Sequence, residues 1–542
     1  MGLLRPNAST AWAPLIALAF VSARGAFAVS ASTDGAGQDT PAAAAPATSP
    51  ESAAEAATAA AAHQVPLDQA AQSNAPWELS LEQVLALALR DNLGLVRAES
   101  DANAARYDAL SSWGAFDWVF QASANYRDSQ TEGTTSLAGG SVISTEAAEV
   151  AFDLTRPFTT GGRFVAHFDT TQSSTTNTFF NAPELVEDNL RFSYVHPILR
   201  GGGFEAASSQ QIVADLTARR AREGSRGTRQ QLIADVASAY WDLVAALEQR
   251  EVRRSALDLG REQLVREEQR LVAGDGTEVD VLQARTEIAT RSEQLLQSEN
   301  EVAAAADQLR ALFLNEPSSE SWNRPIVPMT PLPEVESLAL PPTWESAWQI
   351  ASEQRSELRQ ARLDVEASRA RLRRAATDRL AGLDLTLNLS AGANDEVARN
   401  AGRDTFQFDY PSWSVLLAYE LPLGNRTGVN SEQAARERLH SALVAQQESE
   451  LEILADVRRA VREVDYRATA VTASAESLDL ARRQLDAERA RFDAELSTTF
   501  RVLEFQQSWI EALSNARRAR ADFAKALSDL ARAQGLDVAP RD

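Results

Sequence analysis

Asp117-Trp118-Val119-Phe120-Gln121-Ala122-Ser123-Ala124-Asn125-Tyr126-Arg127 is the stretch whose reading decides the fold. Trp118, Phe120, Ala122, Ala124 and Tyr126 point one way, and Asp117, Gln121, Ser123, Asn125 and Arg127 the other. That period of two marks a strand with one apolar and one polar face. The alternation recurs in Leu190, Phe192 and Tyr194, and in Leu385, Leu387, Leu389 and Ala391 set against Asp384, Thr386, Asn388 and Ser390. Trp413, Val415, Leu417, Tyr419 and Leu421 repeat it, and two shorter candidates, Val150–Thr155 and Phe164–Thr170, flank Gly161-Gly162. Such strands suit either a soluble sandwich or a transmembrane barrel. Their length favours the barrel, being near the roughly 9–11 residues that cross a bilayer, and so do Trp118, Tyr126, Trp413 and Tyr419 near strand ends. The polar stretches 128–149, 171–188 and 394–410 read as loops.

Outward from the strands, the chain turns to long helices. Val457, Val464, Val471, Leu478, Leu485 and Phe492 fall seven residues apart, as do Val281, Ile288, Leu295, Val302 and Leu309. Val502, Trp509, Ala516, Phe523 and Leu530 form a third stripe, with Phe505, Ala512, Ala519, Ala526 and Ala533 beside it. A sustained seven-residue repeat winds helices left-handedly around their neighbours. No proline interrupts Gly428–Phe492, a rod of roughly 100 Å at 1.5 Å per residue. Arg458, Arg459, Arg462, Glu463, Asp465 and Arg467 crowd one part of it, so these rods belong in water and not in lipid.

The ends and the composition set further bounds. Arg5, the apolar run Ala13–Val21 and Ala26-Phe27-Ala28 read as an export signal over 1–28, with an ordinary buried helix as the alternative. Residues 29–76 are rich in Ala, Pro, Ser and Thr and read as a disordered arm. The chain has no cysteine, so disulfides and a cysteine-linked lipid are excluded. No stretch after the export signal has about 20 consecutive apolar residues, which leaves β-strands as the means of insertion. Against 76 acidic residues stand 53 basic ones, a net charge of −23 that disfavours nucleic acid as a partner. The four histidines, His63, His167, His196 and His440, show no metal spacing, and the glycines at 201–203 are followed by no Gly-Lys-Ser/Thr. No catalytic residue, metal or cofactor is therefore expected.

The plan runs twice. Leu81–Ala88 and Trp344–Ala351 begin two helices with matching apolar positions, and each leads to strands, a proline–glycine junction and a helical hairpin. The junctions are Pro197-Ile198-Leu199-Arg200-Gly201 and Pro422-Leu423-Gly424. Proline ends a ladder and glycine permits a sharp redirection. At the hairpin tips Arg270, Ala273, Thr277, Val281 and Leu282 match Arg491, Ala494, Thr498, Val502 and Leu503 without a gap. Thr277 and Thr498 are expected N-caps of the returning helices.

With these motifs in order, residues from about Trp77 to about Gly535 resemble the TolC family of outer-membrane efflux and secretion proteins. The resemblance implies a membrane α+β protein with an internally duplicated fold. It would have a trimeric transmembrane β-barrel, continued by a long periplasmic α-helical coiled-coil barrel. The first repeat would span 77–315, with strands 117–127 and 189–197, an extra hairpin 150–170 and a helical hairpin 204–314. A Pro-rich linker, 316–341, would precede the second repeat, 342–535, with helix 343–380, strands 384–393 and 411–421, and helical hairpin 428–534; a tail, 536–542, follows. The extra hairpin would either widen the barrel to six strands per subunit or fold outside a wall of four.

Functionally, the resemblance implies a homotrimer in the outer membrane of a Gram-negative bacterium, in contact with outer-membrane lipid and reaching into the periplasm. It would be the exit channel of a tripartite efflux pump or a type I secretion system. Its partners would be a periplasmic membrane-fusion adaptor and an inner-membrane efflux or ABC transporter. The adaptor-contacting tips would be Ala273, Gly274, Asp275, Thr277, Ala494, Leu496 and Thr498. Asp280, Arg501 and Glu504 are candidate gate charges, through an Asp280–Arg501 or Arg501–Glu504 pair, with solvated surface charge as the alternative. Arg501 and Glu495 depart from the family's usual second tip. A trimeric adhesin-like coiled-coil protein with a barrel anchor is the competing class.

Overall fold

A computed structural model describes residues 76–132, 142–177, 182, 184–317, 320–333, 343–494 and 496–537, all within one compact unit, Ser73–Asp542. The export signal, the arm up to Ala75, residues 318–319 and 334–341 of the linker, residue 342, Glu495 and the last five residues of the tail lie outside the described residues, as do 133–141, 178–181 and 183 of the expected loops.

A short ribbon, β1 (Trp77–Leu79), opens the first half and pairs in parallel with β6 (Ile326–Pro328) from the linker. Helices α1 (Leu81–Asp91) and α2 (Leu93–Ser112) follow. Ser80 caps α1 in a reciprocal box with Gln83, and Asn92 both ends α1 and caps α2, its Oδ1 accepting from the Leu95 amide at 3.0 Å. The second half repeats this break with α5 (Trp344–Gln354) and α6 (Ser356–Asp378), divided at Arg355. The single helix expected over 343–380 is therefore two. The buried Arg355 guanidinium is turned to Glu357 (3.0 Å) and the Arg532 carbonyl (3.3 Å), which fixes the chain in extended conformation at that point.

The sheet contains β2 (Val119–Glu132), β3 (Val142–Pro157), β4 (Arg163–Thr175), β5 (Glu184–Pro197), β7 (Gly382–Asp395) and β8 (Pro411–Glu420). They pair in that order, every pair antiparallel, as one six-stranded sheet with β2 and β8 at its edges. The hairpin β3–β4 is thus part of the sheet, inserted between β2 and β5. Several strands outrun their expected bounds because the ladder continues where the apolar alternation stops. Asp128 pairs with Glu146, and Gln130 with Ser144, inside what reads as a polar loop.

Long helices fill the rest. After a single turn at Phe204–Ala207, α3 (Ser209–Ala273) and α4 (Glu278–Phe313) form the first hairpin. After α7 (Ala398–Gln407), which joins β7 to β8, α8 (Arg426–Asp493) and α9 (Thr499–Ala533) form the second. α3 has 65 residues and α8 has 68, so each is about 100 Å long. The expected heptad positions pack inward: Val281, Leu309, Val457, Val464, Leu485, Val502, Phe523 and Leu530 are all buried. α9 packs along α3, which ties the two hairpins together.

The main core lies where α1, the β1–β6 ribbon and the two arms of the first hairpin meet, around Val84, Ala88, Tyr240, Leu243, Leu309 and Phe313. The Tyr240 hydroxyl donates to the Leu79 carbonyl (3.1 Å) and accepts from the Thr330 amide (3.0 Å), so one ring locks both strands of the ribbon. Tyr240→Phe leaves the Thr330 amide unpaired, while the Leu79 carbonyl keeps the Met329 amide at 3.0 Å. We expect it to cost about 2 kcal/mol, read as a lower urea midpoint with an unchanged slope.

Candidate functional site

Three regions of this architecture are able to act: the hairpin tips, the strand–helix junctions and the faces of the sheet. The tips are built twice over from the same bonds. In the first, Gly274 adopts φ 86° and the Asp275 amide donates to the Arg270 carbonyl at 2.9 Å. In the second, the Leu496 amide donates to the Arg491 carbonyl, also at 2.9 Å. Thr277 and Thr498 both occupy N-cap positions in extended conformation.

Their side chains differ. Thr277 Oγ1 accepts from the Asp280 amide, and Asp280 Oδ2 accepts from the Thr277 amide, closing a capping box. Thr498 makes no such bond. Arg501 stands where Asp280 stands, and a guanidinium has no acceptor to return. Asp280 is thus committed to its own helix. Among the described residues no ion pair joins Arg501 to Asp280 or to Glu504; Arg501 and Glu504 are exposed. Ala273, Gly274, Asp275, Thr277, Ala494, Leu496 and Thr498 are exposed as well, and Val272, Val279, Leu496 and Phe500 give the tips an apolar rim.

Sequence reasoning missed a buried carboxylate just above this rim. Glu267 is fully buried and accepts from Gln263 on its own helix and from Thr499 Oγ1 (3.0 Å) at the start of α9, with Arg270 at 3.6 Å. Glu488 is its counterpart in the second hairpin, accepting from Ser497 and lying 3.5 Å from Arg491. The signal was present as Glu-x-x-Arg at both tips, 267–270 and 488–491. The Arg270 guanidinium also lies 4.8 Å from the Phe492 ring centroid, a second link between the hairpins.

At the first junction Gly201 and Gly203 take φ 77° and 89°, turning the chain from β5 into α3. The Ile198 amide donates to the Leu383 carbonyl (2.7 Å) and Arg200 reaches Glu420 (3.1 Å), so the turn is tied to β7 and the end of β8. At the second, Gly424 and Asn425 take φ 85° and 34°, and Asn425 Nδ2 donates to the Arg379 carbonyl (2.7 Å). Pro197 and Pro422 immediately precede these turns.

One face of the sheet is apolar across all six strands. Phe120, Leu154, Ala166, Phe192, Leu389 and Trp413 lie in register, and so do Ala122, Phe152, Phe168, Leu190 and Ala391. The opposite face carries Gln121, Asp153, His167, Arg191, Ser390 and Ser412 in one row. There His167 bridges Asp153 (2.7 Å) and Asp169 (3.2 Å). The stretch expected as a polar loop, 394–410, contains α7, packed on β5 and β7, with Phe406 against Phe168. An Asp395 carboxylate accepting from the Val397 amide helps to start it.

Residues 165–313 and 347–536 match the family described as outer membrane efflux protein, which covers most of both repeats. The chain belongs to the outer membrane efflux protein family. It is also 27% identical over 293 residues to the pyoverdine export outer membrane protein OpmQ of Pseudomonas aeruginosa, a match spanning 53% of this chain and 58% of that protein. Its fold is that of the outer-membrane channel OprN (TM-score 0.62, 16% identity, 84% of this chain and 89% of that one). It is equally that of the Campylobacter jejuni CmeC outer membrane channel (TM-score 0.61, 15% identity, 84% and 85%). This efflux protein of the Gram-negative outer membrane, extending into the periplasm, thus has the fold of TolC-like channels, and its family is not one of enzymes. The adhesin-like alternative gives way to it. A surface stalk has no use for strands that return twice into helical hairpins.

Proposed function

We propose that three copies of this efflux protein form one continuous duct, a shared β-barrel followed by a helical tunnel, through which substrates leave without chemical change. The observation that carries the reading is the junction of an amphipathic, open-edged sheet to two charged hairpins of about 100 Å. The sheet's apolar face, where α7 leaves it open around Phe120, Leu389 and Trp413, suits lipid. The hairpins, with arginine and glutamate on their outer surfaces, suit the aqueous periplasm.

The exposed tips, with Val272, Leu496 and Phe500 on their rim, suit docking of a periplasmic adaptor that links the duct to an inner-membrane transporter. Opening would follow from separation of the two hairpins at Glu267, Thr499 and Arg270. The likeness to OpmQ, a pyoverdine export protein, favours small exported molecules over polypeptides.

The test is reconstitution of the purified, full-length protein in planar bilayers. Discrete ion-conducting steps are expected, small at rest because the tips restrict the path. A protein that is trimeric by light scattering yet never conducts, with or without mutations at the tips, would sink the duct.

A further inference from the structure

The structure assigns six strands per copy to the membrane wall, and we propose that three copies close it edge to edge, β8 of one against β2 of the next, as an 18-stranded barrel. This deepens the trimeric duct reading and rests on it.

The first observation is that β3–β4 cannot be a detached extension. Its strands are paired along their length with β2 and β5, over 14 positions on one side and 12 on the other. Aromatic side chains cross the same boundaries. Phe120 stacks on Phe152 (6.0 Å), Phe152 on Phe168 (6.4 Å) and Phe164 on Phe192 (6.3 Å). The turn at 158–162 is docked on the first strand–helix junction, where the Gly203 amide donates to the Thr160 carbonyl at 3.0 Å. Gly161 packs so tightly there that a Cβ would meet the Gly201 carbonyl oxygen at 2.6 Å. The turn therefore sits at the same end of the sheet as the helices, where a wall hairpin must turn.

The second observation concerns the edges. β2 has 14 residues and β8 has 10, and nearly all of them are exposed. A row of unpaired amides and carbonyls finds no partner in hydrocarbon, so a membrane sheet must close. Within one copy β2 and β8 do not pair. Six antiparallel strands leave the two edge strands running in opposite directions, so β8 of one copy meets β2 of another as an antiparallel pair. Both edges also carry the apolar face: Phe120, Ala122 and Tyr126 on β2, and Trp413, Val415, Leu417 and Tyr419 on β8. A second copy of this chain is the occupant that supplies a matching ladder and a continuous apolar band.

Barrel diameter grows roughly linearly with strand number. An 18-stranded wall is about 1.5-fold wider than one of 12 strands, the size left if the hairpin lay outside.

The chain has no cysteine, so pairs are introduced cleanly. Ser123→Cys on β2 is combined in turn with Ser412→Cys, Ser414→Cys and Ala418→Cys on β8, in the full-length protein in outer membranes, and oxidised. We expect one combination to yield covalent trimers on a denaturing gel. Electron microscopy of the purified trimer in nanodiscs then counts the wall. Eighteen strands, with β3 and β4 among them, support the proposal. A conducting trimer whose wall has 12 strands overturns it while leaving the duct intact. A protein that is neither trimeric nor conducting fails the duct reading itself.

Discussion

Gly202→Val should remove nearly all assembled protein from the outer membrane. Gly202 sits in the turn between β5 and α3, where a Cβ would overlap the Pro197 carbonyl oxygen and stand 3.2 Å from its carbon. Both are backbone atoms of the residue that ends the strand, so no side chain can rotate to relieve the overlap. The turn cannot shift as a whole either, because the Ile198 amide holds it to Leu383 and the Gly203 amide to Thr160. Overpacking of this kind costs about 3 kcal/mol or more. The comparison variant is Gly274→Ala at the first tip, where φ is 86° but nothing lies within 4 Å of the added carbon. Only the left-handed backbone is penalised there, by about 1 kcal/mol. Urea unfolding of the purified proteins and the trimer level in isolated outer membranes should rank the two variants in that order. Equal trimer levels would show that the junction turn is not the rigid joint described here.

Glu267→Ala should leave the fold standing and the duct open. The carboxylate is fully buried and accepts from Thr499 across the boundary between the two hairpins. Its loss strands the Gln263 amide, the Thr499 hydroxyl and part of the Arg270 charge at a point where the tip meets the other hairpin. A hydrogen bond to a buried charge contributes about 1.5–3 kcal/mol, which would shift the resting equilibrium toward the open tip by roughly 10- to 100-fold. Glu267→Gln keeps an acceptor for Thr499 and loses the charge that faces Arg270, so an intermediate shift is expected. Open time in planar bilayers measures both. Thr499→Val supplies the independent check, since it removes the same bond from the other side; wild-type closure in Thr499→Val and Glu267→Ala together would take this contact out of the gate. Asp280→Asn, by contrast, touches a cap within one helix. It should change tip stability by less than about 1 kcal/mol and closure hardly at all.

The rods and the strand cores were legible because each rests on a period. Val457, Val464 and Leu485 repeat at seven, Phe120, Ala122 and Ala124 at two, and both runs are long. Strand ends were not legible. Beyond Tyr126 both faces of β2 turn polar, and the backbone ladder that carries Asp128 and Gln130 onward leaves no trace in that strand's hydropathy. α7 reads as a loop in the sequence for a related reason: Ala398–Gln407 is short and polar, with Gly402 within it, and its order comes from packing on β5 and β7. At the tips, Thr277 and Thr498 announced two caps, yet only Thr277 has a partner three residues on that can complete the box. Glu267 escaped notice because a glutamate among other charges on a long helix reads as a solvated face. Its burial depends on a helix more than 200 residues away in sequence.

The joining of β5 to β7 has a bearing on how the sheet comes to exist. β2, β3, β4 and β5 are hairpin neighbours in the chain, so their ladders close short loops and form early and cheaply. The next ladder pairs Pro197 with Asp384, across the entire first helical hairpin and the linker. Its loop entropy is met only after that hairpin has folded and drawn its ends together. Until then β5, an interior strand of the finished sheet, stays a bare edge of the kind on which unfinished sheets aggregate. Biogenesis should therefore be slow at one identifiable step, the docking of the second half's strands, and a chain stopped before β7 should aggregate instead of inserting.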